Sequence, residues 1–303
     1  MSDLDELIAQ QDGALSVRQA LRFLTYGAIR AHLRARRWQR PHRGVLITHN
    51  GDPTDQQRLW VASLAAGGGE PAPIAGLTAL VAHGLRTFEA PAIWVLLPRT
   101  RDHRNPPAGV IVHQTTTLTS RDLHPTGRPP RIRAPRSLVE AAAWARTNRE
   151  ARAIIAATYQ QQLVRHDDVL DALARAPNVN RHRLIATTVR DAAYGATSLG
   201  ELDLLRAIRR AGLPEPELQY RRRDADGRTR YLDAYYPEYG VHLEVDGAQH
   251  HDPWQAWDDM ARQNATWIRG DRVLRFPAWL VRDRPEIVVT QLRDALRAAG
   301  WPG

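Results

Sequence analysis

The sequence predicts an α/β protein of the α+β multidomain kind, because three parts of the chain have different patterns. Residues 1–50 combine short helical stretches with a basic strand pair. Residues 51–197 mix helices with short strands and then become helical, and residues 198–303 have the order α-β-β-β-α-β-α. A chain of 303 residues is long enough for each part to bury a core. We therefore predict domains at 1–50, 51–197 and 198–303.

The charge of the chain favours a polyanionic partner. The formal net charge is +9, and all 42 basic residues are arginine. A GC-rich coding bias accounts best for the use of arginine, but the guanidinium fork suits phosphate groups whatever its origin. The net charge is +4 over residues 1–50, +6 over 51–197 and −1 over 198–303. We expect DNA as the partner, bound by the parts that precede residue 198.

Several classes of protein are disfavoured by composition. The chain has no cysteine, which excludes disulfides and thiolate metal sites and fits a reducing compartment. The beginning, MSDLDELIAQQ, is acidic and polar, unlike a signal peptide. No apolar run approaches the roughly 18 residues of a membrane span. We expect a cytoplasmic protein that makes no membrane contact.

The first 50 residues follow a winged-helix plan, in which three short helices precede a β-wing. Leu4, Leu7 and Ile8 form an apolar stripe, and Ser16 is a good N-cap for the second helix. Basic residues are expected along the third helix and on the wing, and they would contact DNA: Arg30, Arg34, Arg36 and Arg37 on the helix, and Arg40, His42 and Arg43 on the wing. The alternative is a solvated basic face on a small packing module. The paired helices and the RGV of the wing resemble the amino-terminal domain of AbiEi-type antitoxins.

The last segment begins with an amphipathic helix capped by Ser198. A hairpin with an Asp226–Gly227 turn follows, and then a third strand, GVHLEVDG. A helix from residue 253 to about 267, the strand at residues 272–276 and a closing helix complete the segment.

Carboxylates gather on two of these strands. Glu244 and Asp246 alternate with apolar neighbours and so share one face of the third strand, and Asp233 on the second strand is within reach. Glu201 on the preceding helix supplies a fourth carboxylate. Converging carboxylates need a cation, and oxygen ligands with open positions suit Mg²⁺. Taken singly, each residue has a simpler explanation, such as helix capping for Glu201 or turn chemistry for Asp246.

The spacing Asp233, ten residues, Glu244-Val245-Asp246 resembles the PD-(D/E)xK nuclease core. The string LDAYYPEYGVHLEVDGAQHH, the D-x-x-x-Q/R-N helix and the VLRF strand resemble the DUF559 branch, related to very-short-patch-repair endonucleases, over about residues 198–297. The resemblance implies a restriction-endonuclease-like core and Mg²⁺, or Mn²⁺ in its place, bound by Asp233, Glu244 and the Val245 carbonyl. It implies that Glu201 braces a metal-bound water. Asp246 stands where the family has lysine, so the general base stays open among Asp246, Gln219 and a histidine.

Two histidines and an arginine follow the third strand. His251 matches a catalytic histidine of the mismatch endonucleases, and His250 is a candidate phosphate ligand. Arg262 on the next helix would clamp the scissile phosphate. The alternatives are a histidine pair that caps the helix and a surface ion pair between Asp258 and Arg262.

Two function classes follow from these patterns. The first is a metal-dependent DNA endonuclease that an N-terminal DNA-binding domain directs to its substrate. The second is an AbiEi-type antitoxin or transcriptional regulator whose nuclease-like domain is catalytically silent, with a toxin partner or a second copy as its binding partner. A third class, a non-nuclease metal-dependent hydrolase, has no substrate-pocket signature in its favour.

Overall fold

The computed structural model describes residues 2–101, 106–196, 198–223, 229–246, 257, 260 and 273–303. The chain consists of two compact units. The first comprises Met1–Ile154 and Gln161–Ala186, and the second comprises Ile155–Gln160 and Thr187–Gly303. Helices and three small sheets occur together in the described residues, which confirms a mixed α and β protein. The division into domains at residues 50 and 197 stays a prediction.

The described elements are numbered here in chain order. The strands are β1 (Ala14–Ser16), β2 (Gln39–His42), β3 (Val45–Ile47), β4 (Ile93–Pro98), β5 (Val110–Thr115), β6 (Glu217–Arg223), β7 (Thr229–Tyr236), β8 (Val241–Asp246) and β9 (Val273–Pro277). The helices are α1 (Asp3–Gln10), α2 (Val17–Ala20), α3 (Tyr26–Arg34), α4 (Asp55–Ala66), α5 (Gly76–Ala82), α6 (Ala134–Trp144), α7 (Asn148–Gln160), α8 (His166–Ala174), α9 (His182–Ala193), α10 (Leu199–Arg210), α11 (Ala278–Asp283) and α12 (Pro285–Ala298). Within the described part of the chain, no helix has the length and apolar character that crossing a membrane requires.

The beginning of the first unit has three helices and a three-stranded sheet of order β1-β3-β2. Ser16 caps α2 as predicted, with its side chain accepting from the N–H of Gln19. The strand pair β2–β3 is also confirmed, whereas β1 was not predicted because three residues carry too little alternation to reveal a strand. Leu15, Ile29 and Leu46 are buried together in the core of this part.

The rest of the first unit is built on the parallel pair β4–β5 and on helices α4 to α6. Ala62, Ile74, Val95 and Leu97 are fully or almost fully buried in its core. Both strands were predicted from their apolar runs. Their parallel pairing was not, since it depends on contacts that the local pattern does not encode.

The second unit contains a four-stranded sheet of order β6-β7-β8-β9. Neighbouring strands are antiparallel except β8 and β9, which are parallel. Apolar residues of α10 and α12 pack on the sheet in one core. The described residues confirm the first helix, the four strands and the closing helix of the predicted order, and they add α11. The predicted helix from residue 253 lies mostly outside them, and only Trp257 and Met260 are described, both as helical.

An aromatic stack in the first unit holds a half-buried histidine. The ring of His113 lies parallel to that of Trp144, with centroids 3.5 Å apart, and Trp94 contacts both rings edge-on. Burial lowers the pKa of His113 from 6.5 to about 4, because the stack offers the imidazolium little solvation.

We predict that this stack makes the first unit sensitive to acid. The unfolded chain protonates His113 near pH 6.5 and the folded chain only near pH 4, so the free energy of unfolding falls as pH drops through this window. Replacing His113→Gln should remove part of this fall, measured by thermal unfolding between pH 4 and 7.5. A partly exposed histidine, changed as His182→Gln, is the control. An unaltered pH dependence in the His113 variant would contradict the prediction.

Candidate active site and basic surface

The strand pair β7–β8 brings Asp233 and Glu244 to opposite positions. The antiparallel register pairs Ala234 with Leu243, so the next residues along, Asp233 and Glu244, face each other. Asp246 lies two residues beyond Glu244 and on the same face. Since the charges of Glu244 and Asp246 both act on the Asp233 carboxyl, the structure brings these three predicted site residues together.

The main-chain pairing of β7 and β8 ends beyond Ala234 and Leu243. The main-chain N–H of Val245 donates to Oδ2 of Asp233 at 3.2 Å, so a side chain takes the place of a main-chain acceptor on β7. The N–H and C=O groups of one strand residue lie on the same side of the strand, which directs the Val245 carbonyl toward β7 as well. Two carboxylates and one carbonyl therefore border the opening between the strands. All the atoms that they could offer to a metal ion are oxygen.

The Asp233 carboxyl is half-buried, and its pKa is raised above the ordinary value. Burial is the largest cause, and the nearby charges of Glu244 and Asp246 add to it. The hydrogen bond from Val245 and the charge of His242 act in the opposite direction without cancelling the increase. Burial of the carboxyl therefore outweighs the two contacts that favour its charged form.

Glu244 has a basic partner to which the sequence patterns gave no role. The strands β8 and β9 align Glu244 with Arg275, and Nε of Arg275 donates to Oε2 of Glu244 at 2.5 Å. The side chain of Arg275 is 41% exposed, so the ion pair lies at the surface of the site. His242 is buried on the same face, with Nε2 3.8 Å from Oε1 of Glu244. The sequence did offer a signal, since the lysine of the family is missing and the strand VLRF contains an arginine. Only the β8–β9 register shows that this arginine, Arg275, lies beside Glu244.

Glu201 lies in the first turn of α10 and is buried. Ser198 caps the helix as predicted, with its hydroxyl accepting from the Glu201 N–H at 3.1 Å. The neighbouring Gly200 touches β8 so closely that an added Cβ would lie 2.7 Å from Cγ1 of Val245. The turn that carries Glu201 is therefore held against the strand that carries Glu244.

The donor set fits a hard divalent cation. No group of three or more histidine and carboxylate side chains that could hold a metal occurs among the described residues. Mg²⁺, however, is usually bound by one or two carboxylates, with water completing its shell. Asp233, Glu244 and the Val245 carbonyl supply such a set.

The three predicted site residues His250, His251 and Arg262 lie outside the described residues, as does the turn that leads to them. Their roles stay predictions. The same holds for the Asp226–Gly227 turn of the hairpin.

A second group of predicted residues, which we call the basic surface, is exposed in the first unit. Arg30 and Arg34 are exposed on α3, whose opposite face buries Ile29. Arg40 is exposed on β2, and Arg43 is exposed in the turn before β3. The helix ends at Arg34, so Arg36 and Arg37 follow the helix instead of lining it as predicted, and Arg36 has a left-handed φ of 53°.

Neither a scan of protein-family models nor a search of curated proteins gives a match to this chain. The assignment of a function therefore depends on the chemistry of the residues themselves.

We predict that the Asp233 carboxylate lowers the stability of the fold at neutral pH. Its folded-state pKa is raised, so the folded chain binds the proton more tightly and loses stability as pH rises from the unfolded to the folded pKa. The substitution Asp233→Asn keeps an acceptor for Val245 and should raise the melting temperature at pH 7. The gain should shrink below about pH 4, where the wild-type carboxyl is protonated as well. A loss of stability at pH 7, with exposed Asp294→Asn unchanged, would show that the carboxylate stabilises the fold.

Proposed function

We propose that the chain is a metal-dependent DNA endonuclease that hydrolyses phosphodiester bonds. The observation that carries the proposal is the opposition of Asp233 and Glu244 at the parting of β7 and β8, beside the Val245 main chain. This arrangement concentrates oxygen atoms and carboxylate charge at one point. The resemblance of the same residues to the PD-(D/E)xK nucleases supports the proposal.

Asp233, Glu244 and the Val245 carbonyl would hold Mg²⁺, or Mn²⁺ in its place. When bound, the metal ion supplies positive charge to the phosphodiester and lowers the pKa of a coordinated water. Hydrolysis would add the oxygen of a water to phosphorus and break one P–O bond, with one proton passing to a base and one to the leaving oxygen. His251 is our candidate proton donor, Glu201 would orient the water, and Asp246 is our candidate base.

Arg275 would supply the positive charge that the missing lysine would otherwise bring to the site. Its Nε hydrogen bond fixes Glu244, and its partly exposed side chain would bind a phosphate oxygen. Arginine stays protonated at all relevant pH values, so it positions groups and does not act as the general base.

Affinity for DNA would come from the basic surface formed by Arg30, Arg34, Arg40 and Arg43, joined by Arg37. Phosphate contacts of this kind position a protein on DNA without reading its sequence. His250 would bind a phosphate, and Arg262 would clamp the scissile phosphate. The acidic second unit and the basic first unit thus have separate tasks.

One observation favours a second candidate, a DNA-binding regulator of antitoxin type with a silent nuclease-like domain. Arg275 already neutralises Glu244 at 2.5 Å, as it would in a domain that no longer binds metal. A toxin partner or a second copy would then be bound in place of a metal ion. The absence of cleavage, together with retained DNA binding, would select this candidate.

We predict that Glu244→Gln lowers DNA cleavage by about 100-fold or more, because a metal ligand contributes several kcal/mol to the transition state. Purified protein is incubated with plasmid and with short single- and double-stranded DNA, with Mg²⁺ or Mn²⁺, and products are quantified on gels. The amide still accepts from Arg275, so the fold should persist. Glu238→Gln, an exposed carboxylate between β7 and β8, is the matched control.

Three outcomes separate the candidates. Cleavage by the wild type and the Glu238 variant, but not by the Glu244 variant, supports the site. Cleavage by all three proteins places the active site elsewhere. If the wild type cuts none of the substrates, the nuclease proposal fails. Arg275→Gln should also lower cleavage, and partial recovery in Arg275→Lys would show that its charge matters.

The basic surface gives an independent prediction. The double change Arg30→Ala and Arg34→Ala should weaken DNA binding and flatten the slope of log K against log salt by about 0.9 for each phosphate that the variant no longer neutralises. Binding is measured by fluorescence anisotropy without divalent metal, so that cleavage does not interfere. Arg146→Ala, whose side chain is 88% exposed elsewhere in the same unit, is the control. An unchanged slope in the double variant would move the DNA-binding surface away from α3.

A further inference from the structure

The first unit contains a cavity of about 450 Å³ that none of the proposed nuclease chemistry uses. It lies where helices α6 and α8 begin. Its wall is strongly polar and consists mainly of arginine, aspartate and histidine side chains. The lining includes five arginines and an aspartate that one of them contacts: Arg121, Arg133, Arg136, Arg165, Arg175 and Asp122.

Two helix N-termini border this cavity. Arg133 and Arg165 are the N-cap residues of α6 and α8, and both line the wall. Neither provides a side-chain capping hydrogen bond, so both helices begin without the usual oxygen acceptor. First-turn N–H groups and the helix dipole together favour an anion at such a place.

The arginines of the wall outnumber the acids by five to three. Arg175 pairs with two of the aspartates, Asp122 at 2.9 Å and Asp171, but its single charge offsets only one of them. With Asp168 as the third aspartate, the formal charge of the wall is +2. Arg121, Arg133 and Arg165 make no ion pair with any residue that the structure describes, and all three are exposed. The cavity thus has unneutralised positive charge.

A buried donor is a second and independent observation. Arg136 is 2% exposed and lies between this cavity and a neighbouring one, since it lines both. Its Nε donates to Glu140 at 2.8 Å and its Nη2 to Thr117 at 3.1 Å. The third group, Nη1, is buried and has no hydrogen-bond partner in the described part of the chain. Leaving a charged donor without an acceptor is costly, and an anion oxygen would remove that cost.

We propose that this cavity binds the phosphate group of a 5′-nucleotide. Two helix N-termini, the three exposed guanidiniums and the buried Nη1 of Arg136 all supply donors and positive charge, as a phosphate dianion requires. The volume is within the range of small-molecule sites. The rings of His83 and His124 also line the wall, 5.4 Å apart, and offer apolar faces to a base. The site is independent of the proposed nuclease centre.

Calorimetric titration of the full chain with inorganic phosphate, adenosine 5′-monophosphate and adenosine tests the proposal. All titrations contain EDTA, so neither a metal ion nor cleavage affects the result. The monophosphate should bind, phosphate should bind more weakly, and adenosine should not bind. Changing Arg121→Gln and Arg165→Gln together should lower affinity by about 10-fold or more, because two charge-assisted hydrogen bonds to the phosphate are removed. Arg183→Gln, exposed on α9 and outside the cavity, should bind like wild type.

A pair of short oligonucleotides, with a 5′-phosphate or a 5′-hydroxyl, identifies the source of the phosphate. Preference for the phosphorylated oligonucleotide, abolished in the double variant, assigns the site to a nucleic-acid end. Equal binding of the two, with the monophosphate still bound, assigns it to a free nucleotide. Both results support the proposal. It is overturned if no phosphate compound binds at millimolar concentration, or if the double variant binds as tightly as wild type while its thermal unfolding is unchanged.

Discussion

The hydrogen bond between the Val245 N–H and the Asp233 carboxylate decides the shape of the candidate active site. A carboxylate that replaces a main-chain acceptor opens the strand pair β7–β8 while the half-buried Val245 N–H keeps a hydrogen-bond partner. The same contact holds Asp233 opposite Glu244 and in a half-buried position, where its charge is poorly solvated. A strand opening and a fixed carboxylate thus have one common cause, and the proposed metal chemistry requires both.

Arginine is the only side chain that gives this protein a permanent positive charge, and it connects segments that are distant in sequence. Arg275 joins Glu244 across neighbouring strands, Arg175 reaches Asp122, and Arg209 bridges Asp191 and Glu215 at 2.8 to 2.9 Å. The forked guanidinium can bind two acceptors at once, which a lysine ammonium does with less directional control. Structural bridges and candidate phosphate contacts are consequently made by the same residue type.

Local pattern was enough to predict the strand β8 and the shared face of Glu244 and Asp246, because alternation of side chains depends on the strand alone. Ser16 and Ser198 were likewise predictable as caps. The Glu244–Arg275 contact was not, since 31 residues separate the partners and only the parallel register of β9 joins them. The cavity at the starts of α6 and α8 was also missed, because Arg121, Arg136 and Arg165 become neighbours only when the first unit folds. Contacts within one element are encoded locally, and contacts between elements require the topology.

The close approach of Gly200 to Val245 also brings a backbone charge to the acidic strand. Gly200 is in the first turn of the twelve-residue helix α10, whose N-terminus carries a partial positive charge of roughly half a proton. Val245 is the residue whose N–H holds Asp233, so this helix end is placed beside a crowded set of carboxylates. Any side chain at residue 200 would push the N-terminus of α10 away from β8. Gly200 has no charge of its own, but its lack of a side chain lets the positive end of a helix lie close to the carboxylates.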